Sequence, residues 1–116
     1  MILEISLATL LGIIIGVITG LSPGLHINLV STIVASSALS INPVALACFI
    51  ASLAITHTTI DFIPSIFLCA PEEDTFLAVL PGHKMLQQGE GFEATTIAMF
   101  GVFIGTLLSI LTTPIL

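Results

Sequence analysis

His57 and Asp61 stand four residues apart in the middle of a long apolar stretch. On a helix that spacing puts both side chains on one face. An ionisable group at membrane depth is costly unless it is paired or hydrated, and so marks a functional candidate. Three readings compete for the pair. His57 bonded to Asp61 would lock one helix against another; together they would form a solute or coupling-ion site; or they would supply two ligands to a divalent metal. No His-Glu-x-x-His pattern accompanies them, and His26 and His83 have no fixed geometry relative to them.

A second group begins with Gly12, Gly16, Gly20 and Gly24, spaced every four residues. A smooth face for helix packing accounts for the first two or three. Gly24 is different, because it follows Pro23 at a break in the apolar pattern. Gly20, Ser22, Pro23, Gly24 and Leu25 lead directly into His26 and Asn28. Inside a membrane, the backbone amides freed by such a break and the start of the next helix make a site for an anion. These seven residues are therefore the candidate solute-binding set, with His57 and Asp61 as the candidate coupling-ion pair. No nucleophile–base pair, P-loop or dinucleotide fingerprint occurs, so neither catalytic residues nor a cofactor is expected.

The elements that carry these groups follow from composition. The chain has 116 residues, 56% hydrophobic and 7% charged, with a mean hydropathy of +1.24. A soluble domain is about a quarter charged, and this chain in water would expose an aggregating apolar surface. The expectation is an all-α polytopic integral membrane protein, multi-pass in the cell membrane. One crossing takes about 20 residues, which allows three to five membrane-embedded helical segments. Seven acids against one base, Lys84, give a net charge of −6. That excludes a nucleic-acid footprint and leaves Lys84 as a weak marker of a cytoplasmic loop. Cys48 and Cys69 read as two small hydrophobes.

Within a single domain spanning residues 1–116, membrane segments are expected at 2–21, 25–41, 43–70 and 92–113. The first ends at Ser22-Pro23, since proline disfavours helix for the residue before it. Asn42-Pro43 opens the third with proline at the favoured first position. That third segment would be about 42 Å long if wholly helical, against a core of about 30 Å. Its polar centre at 56–61 and Pro64 predict a broken or re-entrant helix interrupted near 56–64. Pro71-Glu72-Glu73-Asp74 reads as an exit to water, and 71–91 as an extramembrane loop with one or two short interfacial helices. Gly101 and Gly105 would let another helix approach. The apolar end at Pro114-Ile115-Leu116 suggests a truncated chain, a fragment of a larger protein.

The blocks GVITGLSPGLHIN, NPVALA, IPSIFLCAPEED and LPGHKMLQQGEGFEA occur in order over about residues 12–94. Together they resemble the large membrane subunit of tripartite tricarboxylate transporters, and more closely that family's archaeal relatives. The family usually has Gly-Thr-Pro where this chain has Glu72-Glu73-Asp74, and small residues where His57 and Asp61 stand. The resemblance implies a secondary transporter of small organic anions, with the solute's carboxylate at the Pro-Gly break and a proton or cation as coupling ion. It also implies a second transporter half, a small membrane subunit and an extracytoplasmic solute-binding protein as partners. The alternatives are a non-transporting structural or assembly subunit and, further off, an intramembrane metal-site protein. If residues 25–41 cross the bilayer fully, Lys84 inside puts the N-terminus outside; if they are re-entrant, the N-terminus is inside.

Overall fold

A computed structural model of the chain describes residues 1–37, 41–70 and 76–113. The described residues form helices α1 (Ile2–Gly20), α2 (Ile27–Ser37), α3 (Pro43–Ile60), α4 (Phe62–Leu68), α5 (Phe76–Gln87) and α6 (Gly91–Thr112). Three helical runs, Ile2–Gly20, Pro43–Leu68 and Gly91–Thr112, are long and apolar enough to cross a membrane. The protein is an all-α polytopic membrane protein. Its exposed surface agrees with that solvent: on α6, Phe92 is 86% exposed and Leu111 67%, a surface suited to lipid or to a neighbouring membrane helix. Ser40, the exit at Pro71-Glu72-Glu73-Asp74 and the end at Pro114-Ile115-Leu116 lie outside the described residues.

Local chemistry accounts for most helix ends. Asn42 caps α3, its side-chain oxygen accepting from the Val44 amide at 2.9 Å, with Pro43 in the first turn where its missing N–H costs nothing. The run from Pro43 to Leu68 leaves helix at one residue, Asp61. That residue keeps helical angles, φ −60° and ψ −21°, and its amide still bonds His57 O at 3.0 Å. Pro64 falls in the first turn of α4, where no donor is missed. At the end of α5, Gly89 has φ +87°. Its amide bonds Leu86 O at 3.0 Å, and the Glu90 amide bonds Met85 O at 2.9 Å. That pairing is a Schellman motif, which calls for a left-handed residue and hence glycine. Helix α5 itself runs through Pro81, so the 76–87 part of the expected loop is helical. Cys48 is half-buried, whereas Cys69 is exposed at the end of α4 with φ 53°.

The chain divides into two compact units, Met1–Asp61 and Phe62–Leu116. In the first, α1 and α3 pack side by side and in parallel. The register is explicit: Gly12 sits against Phe49 and Ser52, Gly16 against Leu53 and Thr56, and Gly20 against His57 and Ile60. The intervening residues 21–42 must therefore return along α1. Val34 and Ile41 line one apolar groove with Ala8, Leu11 and Ala45, near the start of both long helices. Helix α2 covers only eleven residues of that return, about 16 Å. Residues 38–40 of this return lie outside the described residues.

In the second unit, Phe62, Ile66 and Ala94 form the buried centre, packed by Ile63, Met85, Ala98 and Val102. Gly82 of α5 lies on Ile66; a Cβ there would come within 2.8 Å of the Ile66 side chain.

Candidate functional site

Ser22-Pro23-Gly24-Leu25 is a turn written by its own residues. Pro23 supplies a fixed φ, Gly24 takes φ +86°, and the Leu25 amide bonds Ser22 O at 3.4 Å. Proline second, a left-handed glycine third and a bond from the fourth residue to the first are the marks of a type II turn. A Cβ on Gly24 would meet nothing within 4 Å. The need for glycine there comes from backbone angle, not crowding. The Ser22 hydroxyl donates back to Ile18 O at 2.8 Å, and its amide to Thr19 O at 3.1 Å. These bonds tie the turn to the end of α1.

Pro23, Gly24, Leu25, His26 and Asn28 are exposed and Ser22 is half-buried. His26 directly precedes α2, its carbonyl accepting from the Leu29 and Val30 amides at 3.1 and 3.3 Å. Asn28 lies in the first turn of α2, where helix amides have no intrahelical acceptor. Gly20 is placed differently. It is buried in α1, and a Cβ would come 2.9 Å from His57 O and 3.2 Å from His57 Cα. Its missing side chain serves the contact between α1 and α3.

His57 is 2% exposed and Asp61 3%, both within the first unit. The partner for the His57 ring comes from another helix: Nδ1 lies 3.0 Å from Oγ1 of Thr19. Thr19, 6% exposed, is the residue that sequence reasoning missed. Its signal was weak, a hydroxyl on the glycine face of α1 just before Gly20. Only the register between α1 and α3 sets it against His57.

Because α1 and α3 run parallel, the turn at 22–25 leaves from the same end of the helix pair at which His57 and Asp61 lie. The two candidate groups, separate in sequence, belong to one end of the first unit. His83 belongs to the second unit, where its Nδ1 donates to Ile66 O at 2.8 Å, in the last turn of α4. Among the described residues no three His, Cys, Asp or Glu side chains are grouped to hold a metal ion.

A model of the Tripartite tricarboxylate transporter TctA family matches residues 7–116. The chain belongs to this family. Its members are transporter components, and the match covers both the turn and the buried pair. Among curated proteins, this family member is 46% identical to an uncharacterized protein of Methanocaldococcus jannaschii over 63 residues. The aligned part is 54% of this chain and 16% of that relative, so the chain spans a small share of the relative's length. No solved structure matches the chain.

Proposed function

We propose that this chain is part of the membrane component of a secondary transporter for small organic anions. The observation that carries the reading is the meeting of two features at one end of the first unit. One is a Pro-Gly turn opening onto the start of α2; the other is a buried His57 and Asp61. The solute's carboxylate would be held by the exposed backbone of residues 22–25, by the first-turn amides of α2, and by His26 and Asn28. Asp61 would not touch that carboxylate, because two negative charges close together in a poorly screened medium repel. It serves the coupling proton or cation instead, with His57 as the group beside it that exchanges protons.

A second transporter half, a small membrane subunit and an extracytoplasmic solute-binding protein complete the assembly in the cell membrane. With Lys84 inside and residues 21–42 counted as a crossing, the N-terminus lies outside.

One observation favours a rival. The Thr19–His57 bond joins two helices, as it would in an assembly subunit whose polar groups serve only as glue. Asp61→Asn separates the two. In the transport reading it uncouples uptake from the ion gradient, so accumulation falls about tenfold or more while equilibrium solute binding survives. In the glue reading gradient-driven uptake stays near normal. Loss of binding together with uptake would refute the role given to Asp61.

A further inference from the structure

We infer that Thr19 is a positioning residue that fixes the proton on His57 Nδ1 and leaves Nε2 as the ring's acceptor for an incoming proton or cation. The argument is a count of hydrogens. A threonine hydroxyl has one proton to give and lone pairs to accept with. Thr19 Oγ1 lies 3.2 Å from Gly16 O and 3.0 Å from His57 Nδ1. For both contacts to be hydrogen bonds the hydroxyl proton must go to Gly16 O, because a carbonyl oxygen can only accept. The second contact is then a hydrogen bond only if Nδ1 carries its own proton and donates to Oγ1. Back-bonding of a threonine hydroxyl to the preceding turn is its ordinary habit inside a helix. In a neutral imidazole, a proton on Nδ1 leaves the lone pair on Nε2.

The glycine face makes the arrangement reachable. A Cβ on Gly16 would come 2.7 Å from the Thr56 Cβ and 2.8 Å from Leu53 O, and one on Gly20 would come 2.9 Å from His57 O. Only with both side chains missing do α1 and α3 approach closely enough for a side chain as short as threonine to reach the ring. Thr19 and His57 are both buried, and the Thr19 hydroxyl meets the imidazole at 3.0 Å.

The inference rests on the proposed role of His57 only for its effect on transport; the proton position stands or falls alone. The test is nitrogen-15 histidine NMR of the chain in bilayers at mildly alkaline pH, with the His57 signals identified by their loss in His57→Gln. The wild-type ring is expected as the Nδ1–H tautomer. Thr19→Val keeps the shape, removes the acceptor and shifts the ring toward Nε2–H; Thr19→Ser keeps the wild-type spectrum. Gradient-driven uptake, measured with the transport partners present, falls about tenfold in Thr19→Val and recovers in Thr19→Ser. An Nε2–H ring in the wild type, or an unchanged ring in Thr19→Val, overturns the inference. If Thr19→Val does not insert, the wild-type and Thr19→Ser spectra still decide. A shifted tautomer with unchanged uptake upholds the role of Thr19 and removes His57 from the coupling path.

Discussion

Helices α1 and α6 carry glycines at the same interval of four and meet different surroundings. Gly12, Gly16 and Gly20 press against the α3 backbone, whereas a Cβ on Gly101 or Gly105 would meet nothing within 4 Å. In a bilayer, apolar contact between helices gains little over contact with lipid, so association depends on close packing and polar bonds. Helix α3 offers both to α1: the short side chains Ser52 and Thr56 opposite the glycines, and His57 opposite Thr19. Spacing makes a face flat. What faces it decides whether the flatness is used.

The sharpest way to break this comparison is to add bulk to both faces. Gly16→Val would drive two methyls into Leu53 O and Thr56, and overpacking of that kind costs about 1–3 kcal/mol. Gly101→Val should stay within about 0.5 kcal/mol, as an exposed change does. Thermal unfolding in detergent reads both, and equal losses would mean that the α1–α3 contact does not carry the first unit.

Glycines kept for backbone angle sharpen the comparison further. Gly24 and Gly89 have φ +86° and +87° with open space around each. Alanine at either position should cost about 1–2 kcal/mol for holding a left-handed angle. Only Gly24→Ala is expected to abolish uptake while membrane insertion stays intact. If Gly89→Ala reduces uptake equally, the turn has no special link to the solute.

A smaller loss than at Gly16 belongs to the second unit's own cross-helix histidine. His83→Ala removes the donor to Ile66 O and should lower stability by about 1 kcal/mol. Solute binding should be unchanged, in contrast to His57, whose substitution is expected to alter coupling. A binding defect in His83→Ala would blur that contrast.

How much of this was legible beforehand depended on whether the cause was local. The long apolar runs, the Asn42 cap with Pro43 and the break after Gly20 rest on neighbouring residues, and the sequence displays them directly. The left-handed angle at Gly24 was legible as a need for glycine, though the turn type was not named. A short helix within 71–91 is an expectation of the sequence, but its bounds are not, because Pro81 sits inside helix α5 and Gly89 closes it. The Thr19–His57 bond was out of reach altogether. It depends on the parallel register of two helices separated by the whole of residues 21–42, which no periodicity in either helix encodes.

The return of residues 21–42 along α1 bears on how the first unit is made. This stretch leaves the ribosome after α1 and before the glycines of α1 have anything to meet, since Phe49, Leu53 and His57 are still to be synthesised. Its helix α2 carries Asn28, Ser31, Thr32, Ser36 and Ser37, polar groups that lipid disfavours. Its hydroxyls turn inward on their own carbonyls, Thr32 to Asn28 O at 2.7 Å and Ser37 to Ile33 O at 2.7 Å, which lessens the cost without removing it. The α1–α3 contact is therefore completed late in synthesis, once His57 and Ile60 exist to meet Gly20.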